Sequence, residues 1–77
     1  MDRVLDVKGL MCPLPVIKTR KVLTEMVVGE VVTVFATDPV SNIDIRHFCN
    51  ISGHKLVDAT EKGGVMTFII RKGSLSG

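Results

Sequence analysis

The chain predicts an α/β fold, a βαβαββ two-layer sandwich in which a four-stranded mixed sheet carries two helices on one face. Two observations predict it. Two proline-marked helix starts, Cys12-Pro13 and Asp38-Pro39, each follow a short segment of strand character. The Lys62-Gly63-Gly64 turn joins two final runs of strand character into a hairpin. The length of 77 residues leaves room for one domain only, expected over 1–72 with a flexible tail over 73–77.

Val4 to Lys8 alternates apolar and polar residues as a short strand does, and Gly9 to Met11 link it to the first helix. That helix is expected from Pro13 to Met26. Helical spacing puts Val16, Thr19, Leu23 and Met26 toward the sheet and Leu14, Lys18, Lys21 and Glu25 toward solvent. Gly29 closes the helix region, and the β-branched run Val31 to Thr37 reads as a central strand. Asp38 as N-cap and Pro39 at the first position open a second helix that runs to Ser52 and stops at Gly53. Its core face is Ile45, Phe48, Cys49 and Ser52, with Ile43, His47 and Ile51 as a second flank. Lys55 to Glu61 and Val65 to Lys72 complete the sheet.

Helical crossovers join parallel strands with right-handed sense, so the first three strands run parallel and the last turns back against them. The carboxyl ends of parallel strands share one edge, where ligands meet open α/β sheets. Gly9 to Cys12, Asp38 and the Lys62-Gly64 turn are therefore expected at that edge.

Composition narrows the function. A net charge of +2, with basic residues scattered among eight acidic ones, lacks the concentrated stripe of a nucleic-acid binder. With no Trp or Tyr and only three Phe, the chain also has few aromatic platforms for stacking bases. Two distant cysteines, no signal-peptide pattern and no apolar run long enough for a bilayer point to free thiols and a cytoplasmic location.

Chemistry concentrates in Cys12-Pro13-Leu14-Pro15. Pro13 suits the first helical position, which makes Cys12 the expected N-cap with its thiol facing the positive end of the helix. The Leu14 and Val16 amides are expected to serve the sulfur and to lower its pKa, favouring the nucleophilic thiolate. A cysteine at a helix start is ordinarily only a small apolar residue; the paired prolines Pro13 and Pro15, which stiffen the turn, favour the functional reading.

Other residues are weighed against bland readings. Asp38 is first a helix cap, although a carboxylate at that edge would raise the Cys12 pKa. Leu14, beside Cys12 on the solvent side, reads equally as a docking contact or an ordinary exposed leucine. Lys18, Arg20 and Lys21 could receive an acidic partner surface, although such a run is usually a solvated face. Cys49 on the core face reads as a buried hydrophobe. A Cys12–Cys49 disulfide is disfavoured, as is a zinc site of Cys12, Cys49, His47 and His54, whose spacing lacks a ligand pattern. His54 reads as structural or solvated.

Cys-Pro-x-Pro after a strand, with Leu5-Asp6, Asp38-Pro39, Asp44-Ile45, Phe48-Cys49, Gly53-His54 and a final Arg71-Lys72-Gly73, resembles the TusA/SirA family of small sulfur carriers over nearly the whole chain. The resemblance implies a fold similar to the C-terminal domain of translation initiation factor 3. It also implies a sulfurtransferase that carries sulfane sulfur as a persulfide on Cys12, with no cofactor beyond that covalent intermediate and no metal. The expected partners are a cysteine desulfurase or rhodanese-like donor and a DsrE/TusD-like or other cysteine-bearing acceptor, with no membrane and no direct nucleic acid. Such relays serve tRNA thiolation, cofactor assembly or sulfur oxidation. The competing reading is a nucleic-acid-binding or regulatory module without sulfur transfer, which the initiation-factor-like fold and mildly basic chain would favour.

Overall fold

Val31–Ala36 alternates in burial along its length, and Val32, Val34 and Ala36 point into the core with no exposed surface. This strand, β2, lies between β1 (Arg3–Asp6) and β4 (Val65–Arg71) in the computed structural model, which describes residues 2–73. β1 pairs with β2 in parallel, β4 pairs with β2 antiparallel, and β3 (Lys55–Lys62) closes the sheet against β4. The order β1-β2-β4-β3 leaves β1, β2 and β3 pointing the same way with β4 reversed among them, the mixed sheet expected from the sequence.

The register explains the single core. Val32, Val34 and Ala36 stand opposite Ile70, Phe68 and Met66, so six apolar side chains form one continuous buried face. Leu23 and Met26 from α1 (Leu14–Thr24) and the segment after it, with Ile45 and Cys49 from α2 (Pro39–Ser52), cover that face. Phe48, expected on the core face, is half-buried and packs against the same cluster. Ile43 and Ile51 are exposed on the second flank.

β4 suits the inner position because Met66, Phe68 and Ile70 are buried on one face and Val65, Thr67 and Ile69 are half-buried on the other, whereas β3 carries Lys55, Asp58, Glu61 and Lys62 and shifts register between Leu56 and Asp58. Charge and a bulge are what protect an exposed edge from further pairing. The hairpin between them is a two-residue loop, with Lys62 opposite Val65 and both Gly63 (φ 58) and Gly64 (φ 81) left-handed, as a type I′ turn requires.

α2 begins at Asp38, whose side chain accepts from the Val40 amide, and stops at Gly53 in the left-handed conformation (φ 80), as the sequence indicates. α1 departs from expectation in two ways. It runs over Leu14–Thr24 rather than from Pro13 to Met26, and its buried stripe is Pro15, Thr19 and Leu23, leaving Val16 half-buried on the flank. The i, i+4 spacing from Pro15 turns the helix slightly relative to the face first expected, and the Thr19 hydroxyl is satisfied by donating to the Pro15 carbonyl at 2.7 Å. Of the tail expected over 73–77, only Gly73 lies within the described residues, and its amide donates to His54 Nδ1 at 3.0 Å; the remainder lies outside them.

Candidate functional site

Because β1 and β2 are parallel and each leads into a returning helix, the starts of α1 and α2 lie at the same sheet edge. The chain leaving β1 is tied to the β2–α2 junction there. Gly9 donates its amide to Thr37 Oγ1 at 2.9 Å, and Cys12 donates its amide to Asp38 Oδ2 at 2.6 Å. Asp38 therefore works with both oxygens, since Oδ1 accepts from Val40 N at 3.2 Å to cap α2. The hairpin turn at Gly63-Gly64 is on the same edge by register, with two strands of the sheet separating β1 from β3.

Cys12 is exposed and unbridged, but it is not the N-cap of α1. Pro13 occupies that position with φ −96 and ψ 10, after a cis Cys12–Pro13 peptide, and Pro15 sits in the first turn. The Leu14 amide, expected to serve the sulfur, instead donates to the Met11 carbonyl at 2.9 Å. The sulfur turns toward the neighbouring helix, where Cys12 Sγ donates to Asp44 Oδ2 at 2.9 Å.

This contact reverses the expected electrostatics. The thiol pKa is raised above the ordinary cysteine value, first because the hydrogen bond to the Asp44 carboxylate favours the protonated form. Desolvation and the negative charges of Asp44 and Asp38 act in the same direction. The expectation of a thiolate stabilised by the α1 terminus is thus corrected: the sulfur faces the Asp44 carboxylate of α2 in place of the first-turn amides of its own helix.

Asp44 was missed as a site residue because its role is tertiary. A signal was present, since no Lys or Arg stands three or four residues away on its own helix to balance a half-buried acid beside the core residue Ile45. Met11 (72% exposed) and Leu14 (44%), close to Cys12 in sequence, and Val40 (46%), in the first turn of α2, are exposed apolar residues. Lys18 and Lys21 are exposed further along α1.

The other sulfur- and nitrogen-bearing groups lie apart. Cys49 is 3% exposed, and burial pushes its thiol up to about 11. His54 is held by Gly73 N and lies against Phe48, with ring centroids 5.7 Å apart. Among the described residues no group of three or more His, Cys, Asp or Glu is placed to hold a metal ion.

Fold and site together define a small two-layer α/β protein that presents one loop thiol at the edge where two helices begin. A family model described as Sulfurtransferase TusA matches residues 3–72, and the chain belongs to that family. The sulfur carrier protein TusA of Allochromatium vinosum is 42% identical over 71 residues, covering 92% of this chain and 93% of its own length. The protein of the same name from Pseudomonas putida GB-1 is 41% identical over 71 residues, covering 92% and 89%. A SirA-like protein of Desulfitobacterium hafniense superposes with a TM-score of 0.83 at 31% identity, covering 94% of this chain and 99% of the other.

Proposed function

We propose that this protein is a sulfur carrier that holds sulfane sulfur as a persulfide on Cys12. The observation that carries the reading is the placement of a free, exposed thiol at the shared helix-start edge of a chain that belongs to the TusA family. In the reaction the Cys12 sulfur attacks the outer sulfur of a donor persulfide. The new bond makes Cys12-S-SH, the donor's own S–S bond breaks, and the donor cysteine leaves as a thiol after taking the proton that Cys12 gives up. A cysteine of the acceptor repeats the exchange on the outer sulfur of Cys12. The sequence is isoelectronic and needs no cofactor.

An exposed site suits a carrier, because two proteins must present their own cysteines to one atom. The donor we propose is a cysteine desulfurase or rhodanese-like protein, and the acceptor a DsrE/TusD-like or other cysteine-bearing protein. The exposed apolar residues Met11, Leu14 and Val40 and the exposed cations Lys18 and Lys21 offer apolar and charged contact to such partners. The protein then acts as a partner-dependent sulfurtransferase. No helix among the described residues is long and apolar enough to cross a membrane, and a cytoplasmic relay fits the free thiols.

Sulfur transfer from a cysteine desulfurase given radiolabelled cysteine tests the reading. Wild type and Cys49→Ser should acquire label that thiol reductants remove, and Cys12→Ser should acquire none. Equal labelling of Cys12→Ser would refute the assignment.

A further inference from the structure

We propose that Asp44 is a positioning residue that holds the Cys12 sulfur as an oriented thiol in the free protein and yields it when a cationic side chain of the sulfur donor takes over the carboxylate. The proposal rests on the carrier reading and concerns how that same site is switched on.

Two observations carry it. The Cys12 sulfur is exposed, yet its hydrogen is committed to Asp44 Oδ2 at 2.9 Å, so direction and protonation are set by a residue of α2 rather than by its own helix. Asp38 fixes the Cys12 amide at 2.6 Å, which keeps the backbone in register with α2 while the thiol swings toward Asp44. The charged groups acting on the sulfur are Asp44 and Asp38, both acidic, and among the described residues neither carboxylate makes an ion pair. Ion pairs elsewhere engage Arg3 with Glu25 and Lys8 with Asp6.

Two carboxylates at the thiol, each hydrogen-bonded but neither in an ion pair among the described residues, are complementary to one kind of neighbour, a protein that brings a guanidinium or ammonium next to its persulfide. When such a cation pairs with Asp44, the acceptor of the thiol hydrogen bond is withdrawn and the like-charge penalty on the thiolate falls. Cys12 then loses its proton to solvent or to the departing donor sulfur as it attacks. The free carrier is correspondingly protected from small oxidants and electrophiles, which react with thiolates.

The test compares wild type, Asp44→Asn and Asp44→Glu by iodoacetamide alkylation of Cys12 across pH, with circular dichroism to show that each is folded. Asp44→Asn should move the inflection to lower pH. A tenfold larger thiolate fraction at neutral pH comes with a nucleophilicity lower by about threefold, so the alkylation rate there should rise by about threefold. Asp44→Glu should return the profile toward wild type. Superimposable profiles for folded wild type and Asp44→Asn would overturn the proposal.

The donor half is read by persulfide loading from inorganic polysulfide and from a charged cysteine desulfurase. Asp44→Asn should raise the ratio of polysulfide to desulfurase loading rates several-fold, and an unchanged ratio would overturn that half. Failure of the carrier reading is distinguishable, because wild type would then acquire no persulfide from the charged desulfurase whatever the alkylation profiles show.

Discussion

Asp38 holds two backbone amides at once, Cys12 N from 26 residues away with one oxygen and Val40 N of its own helix with the other. Removing it exposes both. Asp38→Ala should cost about 1 kcal/mol for the lost cap, read as a lower urea midpoint. It should also release the Cys12 loop, read as faster backbone amide exchange there. Asp38→Asn keeps an oxygen for one of the two amides and should fall between. Ser41 offers the opposite case, a hydroxyl buried in the first turn of α2 that has no hydrogen-bond partner among the described residues. Ser41→Ala removes an unsatisfied group and adds helix propensity, so it should be neutral or stabilising by up to about 1 kcal/mol in the same urea titration. At this scale the position of Cys12 was legible from its own neighbours, since the prolines and the preceding strand are local signals. The direction of its pKa was not, because Asp44 reaches it from 32 residues away.

The elements were legible in proportion to how local their signals are. α2 carries cap, proline and terminal glycine in its own sequence, and the structure places Asp38, Pro39 and Gly53 in those roles. α1 carries two prolines that compete for its start, and packing settles the matter by burying Pro15. The inner place of β4 depended on comparing two strands: the scarcity of charge along Val65–Arg71, against the charged Lys55, Asp58, Glu61 and Lys62 of β3, was the available clue. At the far edge, the end of α2 and the chain after β4 meet through His54, whose Nδ1 accepts the Gly73 amide. Burial, then the charge of Lys72, holds the His54 pKa below its ordinary value, so the neutral ring is the folded form. Its stabilisation is complete above the unfolded value of about 6.5 and is lost as pH falls through the lower folded value. The thermal midpoint should therefore decline from pH 7 toward pH 5, and His54→Ala should flatten that decline. A side chain on Gly73 would collide with the Gly53 carbonyl, so Gly73→Ala should lower the midpoint at every pH.

As a whole the molecule is a thin scaffold whose single core supports one exposed edge. A chain of this size has a stability of several kcal/mol, and truncating the fully buried Ile45 or Phe68 to Ala should cost about 2–5 kcal/mol. Such variants should be largely unfolded, and Cys49 reports it: sealed in the native core, it should react with a thiol reagent only as fast as the protein opens. The surface does not gather its cations into a stripe. Arg3 and Lys8 pair with carboxylates, Arg46 donates to Asn42, and Lys72 donates to the Met26 carbonyl, which disperses the basic charge and favours recognition by proteins at the thiol edge over binding to a nucleic-acid backbone. The central claim, that Cys12 is the atom that carries sulfur, is tested most directly by peptide-resolved mass spectrometry after loading by a cysteine desulfurase. The account predicts one added sulfur on the peptide containing Cys12, lost when a thiol acceptor is supplied. Added sulfur confined to the Cys49 peptide, or an unmodified Cys12 peptide after full turnover of the desulfurase, would contradict it.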